Sequence, residues 1–425
     1  MHAIGRFGTR VVPELNQLVD DCRARKQLVQ GPHIEAFEDE FARFLGSGHV
    51  RTCSTEYGRV ALYFILKALD LPAGSEIIVP AFTFWVVPEI TRVAGLTPVF
   101  ADVDSTTFTL DPRAVERAIT PRTRAILPTH LYGLSCDMDP ILDLAARHGL
   151  KVIEDCAHSL GATYKDRMVG TLGDASFFSF QAFKPLNTYG GGLAWMRDAD
   201  VARRVGELAD FEAWPDEKRV ENILWSGKWQ HMFIRPKVFT FSLFPIWYAA
   251  SFTGGKPEER LWEGVRRLDP LPDHYRGRFT NVQAAIGRAG LKHLPEFIER
   301  TRRHARRLDE VLGGVDGVTI PHVPAGRTHV YYQYCPYVPD SKTVVTRCIR
   351  RGVDVAPMHV DVCTRMELFD WKGPVATGAD IASTAVQVPV YESLCDQEIE
   401  RVGRLVRDQV ARLAAPRELA DAGSR

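Results

Sequence analysis

Apolar residues in the first half of the chain occur at helical spacing in some stretches and in short unbroken runs in others. Residues 10–46 show helical spacing that Pro32 interrupts, and further amphipathic helices are predicted at Arg59–Leu69 and Met138–Arg147. The short runs predict strands at Glu76–Pro80, Leu96–Val103, Thr123–His130, Leu150–Asp155 and Ala175–Phe180. Because these strands are nearly apolar on both faces and alternate with helices, they predict an α/β fold with a mostly parallel sheet covered on both sides.

The second half of the chain begins with a long, basic, amphipathic helix that is predicted from Asn281 to about Leu312. A strand-like run at Thr328–Tyr337 and a helix at Gln397–Leu413 follow it. We therefore expect a large domain at residues 1–280 and a smaller C-terminal α/β domain at residues 281–425, connected by the long helix.

The composition is that of an ordinary globular protein, with 45% apolar and 25% charged residues in a chain of 425. Lys plus Arg and Asp plus Glu both total 53, so the net charge is zero and gives no general attraction to nucleic acids. The first residues lack the apolar core of a signal peptide, and no apolar run reaches the ~18 residues of a membrane span. The scattered cysteines form no C-x-x-C pair. We expect a cytoplasmic protein without a metal or nucleic-acid partner.

Polar and aromatic residues follow three of the predicted strands, where ligands bind in parallel α/β sheets. Asp155 ends one strand. Ser179 and Lys184 end and follow a second, and Phe84 and Trp85 follow a third. Pyridoxal 5'-phosphate (PLP) needs a lysine amine, a carboxylate for its pyridine nitrogen, a stacking ring and phosphate donors. Each residue alone also has a structural explanation, since strand-end carboxylates often cap helices and aromatic residues are usually core.

Five blocks of the sequence follow patterns that occur together in one family. Gly170–Lys184 has the pattern G-x-x-G-D-x-x-x-F-S-F-x-x-x-K, and Ile153–Ala162 has the pattern I-E-D-x-A-Q/H-x-x-G-A. The other blocks are Val79–Phe84, Pro98–Asp104 and His130–Gly133. Their order and spacing resemble those of the DegT/DnrJ/EryC1/StrS family of sugar aminotransferases, which are fold-type I PLP enzymes.

This resemblance implies a fold-type I PLP transferase and assigns roles to residues of the predicted site. Lys184 would carry the cofactor as a Schiff base, and Asp155 would face the pyridine nitrogen. His158 would lie near the ring hydroxyl of the cofactor, and Phe84 would stack on its ring, with Trp85 as the weaker candidate.

The resemblance also implies how the cofactor phosphate is held. Ser179 and the amides of Arg59 and Val60 would bind it, and the family's homodimeric assembly would bring Arg276 to the partner's phosphate. The family usually has Thr at the position of Arg59, so that this side chain either pairs with the phosphate or points into solvent.

The implied reaction moves an amino group from an amino acid donor, L-glutamate in most of the family, to a keto sugar nucleotide or related ketone. Lys184 would move the proton as a general base and acid. Such a reaction belongs to amino sugar biosynthesis or secondary metabolism. The same cofactor also serves elimination, decarboxylation and carbon–carbon bond formation, and a non-catalytic regulatory or scaffold protein is the alternative of a different class.

The segment at residues 211–269 is longer and more aromatic than is usual in the family, and it includes Trp225 and Trp229. Its core, residues 238–252, is nearly apolar and is flanked by basic residues. Three interpretations stay open, of which a helical hairpin packed on its own domain or on a dimer mate is preferred. The others are a hydrophobic wall for a lipid-linked or polycyclic ketone, and contact of residues 238–252 with a membrane surface or partner protein.

Overall fold

The computed structural model describes residues 2–8, 10–47, 52–254 and 264–414. The strands are β1 (Thr52–Thr55), β2 (Glu76–Pro80), β3 (Phe82–Thr83), β4 (Thr97–Ala101), β5 (Thr123–Ile126), β6 (Lys151–Asp155), β7 (Thr163–Tyr164), β8 (Arg167–Met168), β9 (Ala175–Ser179), β10 (Gly192–Met196), β11 (Ala356–Pro357), β12 (Asp361–Val362) and β13 (Val386–Gln387). The helices are α1 (Leu15–Ala24), α2 (His33–Phe44), α3 (Gly58–Ala68), α4 (Val86–Val93), α5 (Pro112–Ala118), α6 (Met138–His148), α7 (Ala199–Asp210), α8 (Glu217–Ile234), α9 (Pro236–Phe241), α10 (Phe244–Thr253), α11 (Asn281–Leu312), α12 (Ser341–Ile349), α13 (Thr377–Ala382) and α14 (Asp396–Ala414).

A seven-stranded sheet has the order β1-β10-β9-β6-β5-β2-β4. β10 is antiparallel to both of its neighbours, and every other adjacent pair in this sheet is parallel. The mostly parallel sheet of an α/β fold, predicted from the sequence, is therefore confirmed. Because β6 and β9 are parallel neighbours, their carboxyl ends lie side by side at one edge of the sheet.

Alternate residues of each strand face opposite helical layers, as the two-residue period of a strand requires. Ile77 belongs to the core that includes α3, α4 and α7, whereas Ile78 belongs to the core that includes α5 and α6. Phe178 packs with α2 and the first half of α11. This two-sided burial explains why the strands are nearly continuous apolar runs in the sequence.

A second core forms around the last third of the chain, where Ala305 of α11 packs with Val344 of α12 and Val402 of α14. Ile4 and Trp247 belong to the same core. The N-terminal residues and α10 therefore pack against the region expected to form the small domain. The division into residues 1–280 and 281–425 stays a prediction.

The predicted elements agree best with the structure where the apolar periodicity is regular. The strand at Glu76–Pro80 and the helix at Asn281–Leu312 have the predicted bounds. The strand predicted at Thr328–Tyr337 is wrong, because this stretch forms isolated bridges instead. The backbone of Tyr331 has a φ of 49°, which lies in the left-handed region and interrupts an extended strand.

The aromatic segment at residues 211–269 contains α8, α9 and α10, and its residues 255–263 lie outside the described residues. It packs in part on its own chain. The Ala3 amide donates a hydrogen bond to the Thr240 hydroxyl oxygen (2.7 Å), and the Arg350 guanidinium lies 4.0 Å from the centroid of the Phe252 ring. Phe241 is nevertheless 86% exposed. Within the described ranges, no helix combines the length and the apolar character needed to cross a membrane.

Candidate active site

The carboxyl ends of β6 and β9 border a cavity of about 830 Å³. Asp155 is the last residue of β6, and Ser179 is the last residue of β9. Lys184 follows in the connection from β9 to β10, and the ends of this connection are paired through Ser179 and Gly192. Six of the predicted site residues line the cavity: Arg59, Phe84, Asp155, His158, Ser179 and Lys184.

The Asp155 carboxylate is buried and is held by two hydrogen bonds. The Ala157 amide donates to Oδ1 (3.0 Å), and the Thr129 hydroxyl donates to Oδ2 (3.4 Å). Burial raises the pKa of this carboxyl above its ordinary value, while the Ala157 amide and the positive charge of Lys184 oppose the rise. A protonated ring nitrogen beside Asp155 would stabilise the charged form.

The Lys184 amine lies 5.0 Å from the centroid of the Tyr332 ring, and it forms no ion pair with Asp155 although both line the same cavity. Burial lowers the pKa of Lys184 to about 8, with a smaller contribution from the charge of Arg59 and an opposing one from Asp155. A substantial fraction of this amine is therefore neutral near physiological pH, as a nucleophile for an aldehyde must be.

The His158 ring lies between two tyrosines, with centroid distances of 4.3 Å to Tyr332 and 5.9 Å to Tyr132. Burial lowers its pKa well below the ordinary value, and the charges of Lys184 and His359 add to this effect. Its Nδ1 is buried and has no hydrogen-bond partner among the described residues. A neutral imidazole with an unsatisfied nitrogen at the cavity wall fits a ligand hydroxyl.

The structure separates the two aromatic candidates. Phe84 lines the cavity, whereas Trp85 is 1% exposed and belongs to the buried core.

The structure places the Arg59 side chain inside the cavity. Its guanidinium donates a hydrogen bond to the Tyr275 hydroxyl (2.6 Å) and lies 4.6 Å from the centroid of that ring. Arg59 is thus placed to meet an anion in the cavity rather than to point into solvent.

Two predicted residues lie away from the cavity. Val60 does not line it, because its side chain is buried in the core and its amide donates to the Tyr57 carbonyl oxygen (3.0 Å) at the start of α3. Its predicted role as a phosphate donor stays a prediction. Arg276 pairs with Glu212 (Nε to Oε1, 3.1 Å), and its side chain is 53% exposed. Its role in the partner's site stays a prediction.

Sequence reasoning missed the role of Glu154, which is fully buried beside Asp155. Its carboxylate accepts hydrogen bonds from the amides of Gly170 (2.8 Å), Leu172 (2.7 Å) and Gly173 (2.7 Å). These amides belong to the glycine-containing turn that leads into β9. Glu154 therefore fixes that strand beside β6, and the signal that was available is a second carboxylate that directly follows the apolar Val152 and Ile153.

His130, Glu154 and Cys156 bring potential metal-ligand atoms within 4.8 Å of one another. Hydrogen bonds account for both nitrogens of His130, however. Nδ1 accepts from the Cys136 amide (2.9 Å), so that Nε2 carries the proton and donates to Glu154 Oε2 (2.9 Å). We interpret the group as a structural network that supports the strand bearing Asp155.

Other cavity residues come from segments far apart in the sequence. Tyr275 and His359 line the cavity, as does Arg219 of α8. Arg219 Nη2 donates to Glu56 Oε1 (2.7 Å), and burial raises the pKa of Glu56 to about 7. His329, by contrast, does not line the cavity. No local motif marks these residues, because the fold alone brings them together.

The cavity has counterparts in known proteins. The chain is 31% identical over 397 residues to "Spore coat polysaccharide biosynthesis protein SpsC" of Bacillus subtilis (strain 168), covering 90% of this chain and 91% of that protein. It is 30% identical to the UDP-N-acetyl-3-dehydro-alpha-D-glucosamine 3-aminotransferase of Acidithiobacillus ferrooxidans, covering 93% of each. Its fold is similar to that of the aminotransferase TlmJ from Streptoalloteichus hindustanus, with a TM-score of 0.78, 27% identity and coverage of 97% and 100%.

The match to a family model is nearly continuous. It covers residues 10–225 and 253–407, and it leaves out residues 226–252 within the aromatic segment. Enzymes of this family and fold are PLP-dependent transaminases. The chain belongs to the DegT/DnrJ/EryC1/StrS aminotransferase family.

Proposed function

We propose that this aminotransferase binds PLP on Lys184 and transfers an amino group from L-glutamate to a keto sugar nucleotide. The observation that carries the proposal is the placement of Lys184 and Asp155 at adjacent strand ends, in one cavity and without an ion pair between them. The acceptor class is supported by a relative that is named for amination of UDP-N-acetyl-3-dehydro-α-D-glucosamine. Family membership favours transamination over elimination, decarboxylation or a scaffold role.

The residues present fit the cofactor. Asp155 would pair with the pyridine nitrogen, and the unsatisfied Nδ1 of His158 would accept a hydrogen bond from the ring hydroxyl. Phe84 would cover one face of the ring. Arg59 and Ser179 would hold the phosphate, and each contributes a donor at the cavity wall.

When it is bound, PLP supplies an aldehyde for the amino group and a ring that withdraws electrons from the reacting carbon. The chain supplies the proton transfer. Because burial holds the pKa of Lys184 near 8, its amine can take the proton from the donor Cα and return one to the product carbon at neutral pH. Asp155 keeps the ring nitrogen protonated, which is what makes the proton at Cα acidic.

A homodimer is part of the proposal. Arg276 lies on the outside of its own chain and directly follows Tyr275, which lines the cavity. A second copy of the chain placed against this surface would bring Arg276 towards the partner's phosphate site. The contribution of the second subunit can be tested by mixing Arg276→Ala and Lys184→Ala subunits and measuring the activity of the hybrid.

The proposal is tested by the absorbance spectrum of the purified protein with PLP. We expect a visible band that shifts to shorter wavelength when L-glutamate is added, and that is absent in Lys184→Ala. Borohydride reduction followed by peptide mapping should find the cofactor on Lys184. A wild-type protein that shows no band with added PLP, or a Lys184→Ala variant that keeps it, would refute the proposal.

A further inference from the structure

One wall of the cavity is a single face of α8. The residues of α8 that line the cavity are Lys218, Arg219, Asn222, Ile223, Ser226, Gly227 and Gln230. They form adjacent pairs followed by Gln230, and each pair begins four positions after the one before it. This is the spacing of one helical face. Trp225 and Trp229 of the same helix do not line the cavity and are 64% and 39% exposed. The aromatic residues of this helix therefore face away from the site.

This wall is fixed to the rest of the site at two points. At its start, Arg219 binds Glu56 and the carbonyl oxygen of His274 (3.1 Å). Further along, the Tyr189 ring packs so closely on Gly227 that a Cβ there would lie 2.2 Å from the ring. Tyr189 belongs to the connection that carries Lys184. The face of α8 is thus held in a set position relative to the lysine.

Beyond the first turn of α8, the polar groups of the wall are neutral. The side-chain amides of Asn222 and Gln230 form no hydrogen bond with another described residue. Together with the Ser226 hydroxyl, they can both donate and accept hydrogen bonds, which is the capacity that sugar hydroxyls also have. The two cationic residues on this face lie in the first turn of α8, where Arg219 is paired with Glu56 and Lys218 is exposed. Ile223 is an apolar residue on this face, and the aromatic Trp225 and Trp229 face away from the cavity.

Gln230 lies on the side of the cavity that carries the lysine. It lines both the main cavity and a smaller, mostly apolar cavity of about 230 Å³, and Phe183 is also shared by the two. Because Phe183 directly precedes Lys184, this shared boundary puts Gln230 on the part of the cavity wall next to the lysine.

We infer that Asn222, Ser226 and Gln230 bind hydroxyl groups of the acceptor sugar and so select a hydroxyl-rich keto sugar over a deoxygenated one. This inference rests on the proposed function. Ser226 and Gln230 lie in the stretch that the family match leaves out, so this selection belongs to this chain rather than to the family pattern. A site built to pair substrate hydroxyls discriminates against an analogue that lacks them, because its polar groups are then left unpaired.

The test compares two acceptors with the enzyme loaded with PLP and converted by L-glutamate to its amino form. UDP-N-acetyl-3-dehydro-α-D-glucosamine is the hydroxyl-bearing probe, and dTDP-4-dehydro-2,3,6-trideoxy-D-glucose is the deoxygenated one. We expect wild type to prefer the first. Gln230→Ala and Asn222→Ala should each raise the KM for that probe roughly three- to tenfold, the effect of one neutral hydrogen bond, with little change for the second.

The control is Lys228→Ala, an exposed α8 residue that does not line the cavity and should keep both KM values. The donor half-reaction is measured in parallel, because it reports on Lys184 and Asp155. If wild type fails that half-reaction, the proposed function fails. If it passes, the inference on α8 is overturned by any of three results. Wild type uses neither probe, wild type prefers the deoxygenated probe, or Gln230→Ala and Asn222→Ala keep the wild-type KM for the hydroxyl-bearing probe. A loss of the donor half-reaction in both α8 variants would also overturn it, since the residues would then act on the cofactor site.

Discussion

Glu154→Gln tests whether the buried carboxylate organises the sheet edge that carries the site. Oε1 accepts from Leu172 and Gly173, whereas Oε2 accepts from Gly170 and from the Nε2 proton of His130. A glutamine amide keeps one acceptor oxygen and places an NH2 group against the other two donors. If the amide group flips, the other two donors lose their acceptor instead, so that two donors are unpaired in either orientation.

The histidine cannot relieve this conflict by moving its proton. Its Nδ1 accepts from the Cys136 amide, so that a proton on Nδ1 would face another donor. Two buried donors therefore stay unpaired at about 1–3 kcal/mol each, which gives a loss of about 2–6 kcal/mol in the free energy of unfolding. This is a large fraction of the roughly 5–15 kcal/mol that stabilises a typical domain.

The measurement is equilibrium unfolding of the cofactor-free protein in urea, followed by fluorescence and circular dichroism so that coincident transitions check two-state behaviour. The matched control is Glu207→Gln. Glu207 pairs with Arg203 (2.7 Å), but both side chains are more than half exposed, so that the change should stay within about 0.5 kcal/mol. A Glu154→Gln protein whose stability falls no further than that of the control would refute the reasoning.

Two further predictions concern the cavity. Because the pKa of Lys184 is lowered to about 8 and the neutral amine attacks the aldehyde, the rate of PLP attachment to the cofactor-free protein should rise with pH through about 8 and then level off. Stopped-flow absorbance measures this rate, and a flat profile between pH 7 and pH 9 would contradict the lowered pKa. Gly227→Ala should lower the melting temperature, since its Cβ would lie 2.2 Å from the Tyr189 ring, and it should cost much less in a Tyr189→Ala background. Equal costs in the two backgrounds would show that the two residues do not interact.

The fold and the cofactor end of the site were largely predictable from local sequence. Buried parallel strands have a distinct apolar pattern, and ligands gather at their carboxyl ends, so that Asp155, Ser179 and Lys184 could be placed at one edge of the sheet. The motif resemblance then assigned their roles. Val60 differs from these residues in that it does not line the cavity, and its amide donates within the first turn of α3.

The rest of the site could not be predicted, because it depends on contacts between distant segments. Tyr275 and His359 reach the cavity from segments without a periodic pattern, and the composition of α8 did not show which of its faces lines the cavity. Trp225 and Trp229 suggested a buried or hydrophobic face, whereas the cavity is lined by other positions of the helix, among them the polar Asn222, Ser226 and Gln230. The strand predicted across Tyr331 failed for a local reason, since no sequence rule gives the left-handed backbone of a tyrosine.

The two ends of the connection that carries Lys184 are paired with each other through backbone hydrogen bonds. The antiparallel pairing of β9 with β10 joins Ser179 to Gly192, and Phe180 adds backbone hydrogen bonds with Thr188 and Gly191 (both 3.0 Å). In the proposed reaction, Lys184 would leave the cofactor and return to it in every catalytic cycle. With the backbone anchored at both ends, that exchange needs rotation of one flexible side chain only, and the amine returns to the same place after each turnover.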